Sequence, residues 1–444
     1  RSLVGSEMCI RDSLFLFPDQ LRHDWTGANP ELPLRTPHLD ALNARGMRFS
    51  NAVCPSPLCA PCRASIASGR EYPRSPVSGN EDNLPSDRPT LYSHLRDAGY
   101  HTTACGKLDL NKGDCIARRP AWGLDGRAHL EAWGFSDGIN NEGKMDGANS
   151  GRDNPQGPYL QFLEERGLRQ MHIDDFARRT KLSSFPTGLP DDAYCDNWIG
   201  QNGLDLLSAA PADRPWFLQV NFTGPHNPWD ITERMKGLYA DVDFPQPNAA
   251  GADSPEALLE VRRNYAAMVE NIDGWLGAYV DVLRERGELD RTLIVFSSDH
   301  GEMLGDHDCW GKSLPHQPSI GVPLTVAGPG VQRGTTVSAP STILDLVATF
   351  LEAGKAVPLP AMESRSLWPL LTGQAEATRS CVFSALEDWC VAFDGRYKLV
   401  EWGNASRRAM YDLQTDPSET CDISSLADFD DIQNALVEHL RSYA

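Results

Sequence analysis

The chain has 444 residues, of which 41% are apolar, and its formal net charge is −20. Its length accommodates one large α/β domain and a smaller one, and its composition is that of a globular protein. The acidic balance argues against partners such as nucleic acid or an anionic membrane surface. The sequence contains no run of about 18 apolar residues, which a membrane-spanning helix would require.

The N-terminal residues 1–13 lack the apolar core and the small-residue cleavage site of a signal peptide. They resemble translated read-through from a sequencing adapter more than the start of a strand. We therefore predict a non-native or disordered leader over residues 1–13. The absence of a signal peptide makes the cytoplasm the default compartment, but the compartment stays open because the native N-terminus would be missing.

The first predicted strand covers residues 14–17, a continuous apolar run typical of buried parallel strands. Asp19 and Gln20 follow it. Because open α/β sheets bind ligands at the carboxyl ends of their strands, Asp19 is a candidate binding residue. The simpler alternative is a turn or helix-capping role. A helix over 36–46 and a strand over 47–52 continue the scaffold.

Residues 59–70 read CAPCRASIASGR and predict a reactive residue on a turn that leads into a helix. Pro61 suits the first helical turn. Cys59 would lie just before the helix, where backbone N–H groups and the helix dipole favour anions. Arg63, one helical turn later, can reach back to the group that Cys59 carries. A purely structural Cys–Pro turn is the alternative.

The eleven cysteines are scattered along the chain, without the paired spacing of a zinc site. Their density is also too low for a small disulfide-stapled scaffold. We expect most of them to be reduced, buried thiols, although Cys62 introduces a second thiol that could pair with Cys59.

A helix over 90–98 and a strand over 100–104 lead to Lys107 and Asp109. A lone lysine after a strand is commonly a surface charge. Residues 112–188 are rich in glycine, asparagine, aspartate and proline, and we interpret them as a variable insertion over the sheet edge that shapes substrate choice.

A helix over 194–207 and a buried strand over 216–222 precede His226. Because histidine titrates near neutral pH, His226 could give a proton to a leaving alkoxide. The equally simple alternative is a turn histidine held between two prolines.

The last part of the core contains a long amphipathic helix over 258–287 and a buried strand over 292–296. Asp299 and His300 follow this strand. Lys312 lies further along the same loop.

Four of these segments resemble the motifs of formylglycine-dependent sulfatases of the alkaline phosphatase-like superfamily. The matching motifs are Cys-x-Pro-x-Arg with a Gly-Arg ending at 59–70, Gly-Lys at 106–107, Pro-His-x-Pro at 225–228 and Asp-His-Gly-x-x-Leu-Gly at 299–305. Four positions depart from the family pattern. Cys62 and Ser68 stand where serine and threonine are commonest, Asp109 replaces a histidine, and Gln20 replaces the common second acid. The resemblance runs from about residue 14 to the end.

The resemblance implies an α/β sandwich in which helices flank a large mixed central sheet, with a small C-terminal antiparallel sheet beside it. Residues 14–375 would form the catalytic domain, and residues 376–444 the C-terminal subdomain.

The resemblance also implies the roles of the site residues. Cys59 would be converted by a maturation enzyme to formylglycine (3-oxoalanine), whose hydrate is the nucleophile. Arg63 would hold the hydrate, and His226 would protonate the leaving alcohol. Lys107 and Lys312 would bind the sulfuryl oxygens. A divalent metal would be held by an oxygen on the modified Cys59 and by Asp19, Asp299 and His300, with Gln20 as an additional ligand candidate.

Oxygen-rich ligation suits Ca²⁺, Mg²⁺ or Mn²⁺, and the resemblance favours Ca²⁺. The implied activity is arylsulfatase-like hydrolysis of a sulfate ester, carried by a small molecule or a carbohydrate. One alternative is a phosphonate monoester or phosphodiester hydrolase of the same superfamily. Another is a catalytically silent protein that binds sulfated glycans, and the unusual Asp109 keeps this alternative open.

Overall fold

The computed structural model describes residues 11–117, 119, 121–249, 251, 253–403 and 405–443. Most of the predicted leader, residues 1–10, lies outside this part of the chain. Its last two residues belong to the fold, because the first strand, β1 (Asp12–Leu16), begins two residues before the predicted start. The buried carboxylate of Asp12 accepts a hydrogen bond from the backbone of Trp216 at 3.2 Å and pairs with Arg291 at 3.0 Å. These contacts fix the beginning of the strand.

The central sheet has eight strands in the order β5-β4-β6-β1-β7-β8-β2-β9. The first five of these run parallel, and β8 is antiparallel to both of its neighbours. The sheet is therefore mixed, as expected. Besides β1, the strands of this sheet are β2 (Met47–Phe49), β4 (His101–Gly106), β5 (Asp137–Asn140), β6 (Trp216–Asn221), β7 (Thr292–Ser297), β8 (Leu324–Ala327) and β9 (Thr335–Val337).

Helices flank the central sheet. They are α1 (Pro37–Arg45), α2 (Cys59–Ser68), α3 (Leu91–Asp97), α4 (Lys112–Ile116), α5 (Leu130–Trp133), α6 (Gly143–Ser150), α7 (Pro158–Glu165), α8 (Arg169–Arg178), α9 (Cys195–Ser208), α10 (Glu233–Lys236), α11 (Pro255–Glu285), α12 (Gln317–Ile320), α13 (Leu346–Ala353) and α14 (Trp368–Leu371).

The side chains of β1 show how the sheet divides the core. Phe15 points into one hydrophobic cluster, which it shares with α2, α3 and α13. Leu14 and Leu16 point into the cluster on the other face, which includes residues of α1, α9 and α11. Because successive side chains of a strand alternate between faces, a strand covered on both sides is apolar throughout. This burial explains the continuous apolar run in the sequence.

The segment 112–188 is more than a covering insertion. It supplies β5, which pairs in parallel with β4 and forms one edge of the central sheet. It also contains α4 to α8. The short β5 (DGIN) carries too little apolar pattern to be identified as a strand from the sequence.

The C-terminal part forms the predicted antiparallel sheet from β11 (Val382–Leu386), β12 (Trp389–Phe393), β13 (Tyr397–Trp402) and β14 (Arg407–Asp412). The last helix, α15 (Asp430–Tyr443), shares a hydrophobic cluster with this sheet. Lys398 of β13 is fully buried and donates a hydrogen bond to the carbonyl of Pro315 at 2.8 Å. The small sheet therefore contacts the loop that carries Lys312.

Two short strands, β3 (Ala52–Val53) and β10 (Ser341–Thr342), pair beside the central sheet. All ten cysteines that the structure describes are free, and six of them are buried, which agrees with the expected reduced thiols. Within the described residues, none of the helices combines the length and the apolar character that a bilayer span requires.

Candidate active site

The central strands carry four of the predicted site residues to the same edge of the sheet. Asp19 follows β1, Lys107 follows β4, His226 follows β6 and Asp299 follows β7. These four strands are adjacent and parallel, so their carboxyl ends meet. Ligands bind at this end of an open parallel sheet. The topology alone therefore gathers side chains that are up to 280 positions apart in the sequence.

The structure brings Asp19, Cys59, Asp299 and His300 together in one buried group, in which one potential ligand atom of each residue lies within 4.8 Å of the others. The sulfur of Cys59 lies 3.3 Å from Nε2 of His300 and 3.8 Å from a carboxylate oxygen of Asp19. These are the residues for which the sequence predicts a metal site. Two carboxylates and an imidazole are ligands that divalent cations accept.

Cys59 is the first residue of α2, whereas the sequence placed it just before the helix. Leu58 is the extended residue that precedes the helix, and the backbone N–H of Ala60 donates to Asn80 at 3.1 Å. Pro61 remains in the first turn, where its missing N–H would have no helical partner. The one-residue difference still leaves Cys59 at the positive end of the helix dipole.

The guanidinium of Arg63 organises the two carboxylates. It donates to Asp299 at 2.9 Å and lies 3.5 Å from Asp19, and it also donates to the backbone carbonyl of Lys107 at 2.7 Å and to Asn221 at 3.0 Å. Among its described hydrogen bonds, none is to Cys59. Arg63 is therefore placed to orient the acids around Cys59, and the predicted contact with the hydrate stays a prediction.

Lys107 and Asp109 form a second charged group beside Cys59. The ammonium of Lys107 contacts Asp19 directly, lies 3.8 Å from the sulfur of Cys59 and pairs with Asp109 at 3.2 Å. Asp109 also pairs with Lys112 at 3.0 Å. The residue that replaces the family's histidine therefore binds two lysines. Burial alone would raise the pKa of Asp109, but these two charges lower it, so the carboxylate is ionised.

Lys312 contacts two other predicted site residues. Its ammonium lies 2.6 Å from the amide oxygen of Gln20 and 2.6 Å from Nε2 of His226. The amide nitrogen of Gln20 donates to Glu302, a buried residue that the sequence analysis did not single out. Glu302 directly follows the Asp-His-Gly motif, and that position was the only sequence signal available. The amide oxygen of Gln20 is thus engaged by Lys312, and its role as a metal ligand stays a prediction.

His226 is neutral in this arrangement. Its Nδ1 faces the carbonyl of Asn227, an acceptor, so Nδ1 carries the proton and Nε2 accepts from Lys312. Burial and the neighbouring Lys312 lower the pKa of His226 well below its usual range. The role of His226 as the proton donor stays a prediction, and the side-chain nitrogen of Lys312 lies 2.6 Å from its Nε2.

Several of the side chains described above line a cavity of about 470 Å³. Part of its wall comes from segment 112–188, which supplies Lys112, Ile116, Glu142, Gly143, Lys144, Met145 and Asp146. The remaining lining residues are Gln20, Cys59, Asn80, Lys107, Thr223, His226, Asn227, Gly311, Lys312 and Ser313.

A family model described as Sulfatase matches residues 11–356, and this range contains every residue of the candidate active site. The chain belongs to the sulfatase family. A second model, described as the C-terminal part of N-sulphoglucosamine sulphohydrolase, matches residues 305–444. Sulfatase membership confirms the predicted family and identifies the chain as a sulfuric ester hydrolase.

Curated sulfatases resemble the chain over most of its length. An arylsulfatase of Clostridium perfringens is 26% identical over 91% of this chain and 88% of its own. A choline-sulfatase of Rhizobium meliloti is 28% identical over 93% of this chain and 82% of its own.

Solved structures confirm the alkaline phosphatase-like fold. The phosphonate monoester hydrolase of Agrobacterium radiobacter superposes with a TM-score of 0.80 at 24% identity, covering 98% of this chain and 95% of its own. A structure solved with its substrate D-glucosamine-2-N,6-O-disulfate has a TM-score of 0.76 at 19% identity and covers 97% of both chains. At these identities the likeness concerns the fold.

Sulfatases imply a divalent metal and a formylglycine residue, and the donor set of this chain fits both. The carboxylates of Asp19 and Asp299 and the imidazole of His300 lie close together in the buried group, and Lys107 contacts Asp19. Oxidation of Cys59 would replace its sulfur with oxygen donors, which hard divalent cations prefer.

The electrostatics of Cys59 lead to a first prediction. Burial and Asp19 oppose its ionisation, but Lys107, Lys312 and His300 outweigh them and lower the pKa of Cys59 to about 6. The unmatured thiol should therefore be a thiolate at neutral pH and react with iodoacetamide at a rate that rises through about pH 6 and then levels off. Lys107→Met removes one lowering charge and should move this midpoint to higher pH.

The experiment uses unmatured protein treated with a chelator to remove metal ions, and it follows alkylation of the Cys59 peptide by mass spectrometry. Cys421 is exposed and serves as the internal control in the same digest. This account would be contradicted if alkylation of Cys59 had its pH midpoint at the ordinary pKa of a thiol and if Lys107→Met did not change that midpoint.

Proposed function

We propose that this sulfatase hydrolyses a sulfate monoester with the hydrated formylglycine derived from Cys59 as nucleophile. The observation that carries the proposal is the position of Cys59, which lines the cavity within 3.8 Å of His300, Asp19 and Lys107. A formylglycine-generating enzyme would be the partner that matures it.

The chain's own residues support each step. One hydroxyl of the hydrate attacks sulfur, and the bond from sulfur to the leaving oxygen breaks. Lys107 and Lys312 neutralise the sulfuryl oxygens, where fixed positive charge is most effective. The leaving oxygen takes a proton from the hydrogen-bonded pair of Lys312 and His226. The second hydroxyl then returns a proton to the pair of Lys312 and His226, the aldehyde re-forms and sulfate departs.

Asp19, Asp299, His300 and an oxygen of the matured Cys59 would hold the metal, and Gln20 would join them if its amide oxygen left Lys312. The metal would supply positive charge that lowers the pKa of the attacking hydroxyl. We propose Ca²⁺ as the resident ion because most of these donors are oxygens, with Mg²⁺ and Mn²⁺ as alternatives.

Removal of the metal gives the second prediction. Chelation should abolish sulfatase activity and lower the melting temperature, because the closely spaced carboxylates of Asp19 and Asp299 lose a shared cation. Adding back Ca²⁺, Mg²⁺ or Mn²⁺ singly, followed by activity and thermal denaturation, identifies the ion. Chelated protein with full activity and an unchanged melting temperature would contradict the proposed site.

The second candidate function is hydrolysis of a phosphonate monoester or a phosphodiester. It is favoured by the superposition of the chain on two solved phosphonate monoester hydrolases, each with a TM-score of 0.80. A catalytically silent sulfated-glycan binder is the third candidate.

One experiment separates the three. The matured protein is assayed with 4-nitrophenyl sulfate, 4-nitrophenyl phenylphosphonate and bis(4-nitrophenyl) phosphate under identical conditions. We expect the highest kcat/KM for the sulfate. A preference for either phosphorus ester would favour the second candidate, and no turnover of any ester despite complete maturation of Cys59 would favour the third.

A further inference from the structure

A pair of opposite charges on the cavity wall is not used by the proposed reaction. The ammonium of Lys112, at the start of α4, lies 2.7 Å from the carboxylate of Asp146 in α6, and both residues line the active-site cavity. We propose that this pair determines specificity by binding hydroxyl groups of a carbohydrate leaving group. The inference rests on the proposed sulfate-ester hydrolysis.

Lys112 is held firmly in place. It also pairs with Asp109 at 3.0 Å, and Asp109 pairs with Lys107 at 3.2 Å. Burial alone would lower the pKa of Lys112, but the carboxylates of Asp109 and Asp146 raise it. The wall is therefore connected to the sulfate-binding lysine through Asp109.

The pair retains hydrogen-bonding capacity. An ammonium has three donors, and Asp109 and Asp146 account for two of them. The side chain of Asp146 is 21% exposed and that of Lys112 is 10% exposed, so both can be reached from the cavity. A donor and an acceptor side by side match neighbouring hydroxyls of a sugar, each of which can accept from one group and donate to the other.

The other charged residues of this wall are already engaged. Glu142 accepts hydrogen bonds from the backbone of Leu160 at 2.8 Å and of Tyr159 at 3.4 Å. Lys144 donates to the carbonyl of Pro228 at 3.0 Å and pairs with Asp230 at 2.5 Å, and its side chain is only 3% exposed. These contacts of Glu142 and Lys144 are structural.

Selection between leaving groups would come from the free-energy cost of covering the Lys112–Asp146 pair with a group that cannot form hydrogen bonds to it. An aryl group has no hydroxyl, so it would cover Asp146 and leave Lys112 as the donor to its carboxylate, with the other carboxylate oxygen desolvated and unpaired. A sugar restores those bonds. Sites built to bind a substrate hydroxyl discriminate strongly against analogues that lack it.

The test compares two substrate types with one enzyme. The matured protein is assayed with 4-nitrophenyl sulfate and with a carbohydrate set of D-glucose 6-sulfate and D-glucosamine 6-sulfate, by hydrolysis and by competition with the aryl substrate. The readout is the ratio of kcat/KM for the carbohydrate to kcat/KM for the aryl sulfate. We expect Asp146→Asn and Lys112→Met each to lower this ratio by about 10-fold or more.

The matched control is Asp192→Asn, which removes the carboxylate of a surface pair with Arg166 outside this cavity, and it should leave the ratio unchanged. A ratio that stays constant in both wall variants overturns the inference, whatever happens to the absolute rates. The inference is also overturned if the enzyme hydrolyses the aryl sulfate but neither hydrolyses the two sugar sulfates nor is inhibited by them. A matured protein that hydrolyses no sulfate ester overturns the proposed function itself.

Discussion

Cys59→Ala is expected to lower kcat on 4-nitrophenyl sulfate by about 10⁴-fold or more, because it removes the nucleophile and not merely a group that assists it. The side chain that is lost is small and lies at a cavity rather than in the packed core, so the variant should remain folded. Steady-state kinetics of matured protein, with circular dichroism to verify folding, provide the measurement.

The matched control for this variant is Cys62→Ala in the same helix. Cys62 is buried in the hydrophobic core, so its replacement should cost some stability but leave kcat near that of the unchanged enzyme. Retained turnover in the Cys59 variant would contradict the nucleophile assignment. The binding-protein alternative would be supported if the wild-type protein hydrolysed no ester and if Cys59→Ala bound a sulfated ligand with unchanged affinity.

Arg63→Met should destabilise the chelated protein by about 3–5 kcal/mol, because it leaves two buried carboxylates without their shared cation. The side chain of Arg63 is 2% exposed, and those of Asp19 and Asp299 are fully buried. Activity should fall as well, since the same contacts orient the acids around Cys59. Urea denaturation gives the free energy of unfolding.

Arg441→Met is the control for that experiment. Arg441 also forms an ion pair, with Glu438 at 2.8 Å, but both side chains are more than two-thirds exposed. Because water and salt screen such pairs, we expect little change in stability. Equal effects of the two substitutions would mean that the buried position of Arg63 has no special importance.

The sequence was informative wherever local patterns decide the outcome. The continuous apolar run before Asp19 predicted a buried strand, and the rule that ligands bind at strand ends directed attention to Asp19. The resemblance to sulfatases then supplied Cys59 and Lys107. The structure places Cys59 and Lys107 on the wall of one cavity and brings Asp19 and Asp299 together with Cys59 in one buried group.

Contacts between distant segments were not predictable. Asp109 stands where the family has a histidine and pairs locally with Lys112, but the contact of Lys112 with Asp146 forms only once the segment 112–188 has folded. Glu302 and Gln20 are 282 positions apart and meet through the pairing of β1 with β7. A charged side chain gives no local signal of which opposite charge it will contact.

The state of His226 shows a second limit. Its motif predicted a proton donor, and the choice between donor and acceptor depends on Lys312, which comes from a different loop. A hydrogen-bond partner decides which ring nitrogen carries the proton, and that partner is known only from the folded chain.

The central claim is that Cys59 becomes formylglycine, and mass spectrometry of the Cys59 peptide tests it most directly. The protein is co-expressed with a formylglycine-generating enzyme and digested without alkylation. We predict a peptide that is lighter by about 18 Da, the difference between the thiol and the aldehyde, and that forms a hydrazone with an added hydrazine. An unmodified Cys59 thiol under these conditions would contradict the account.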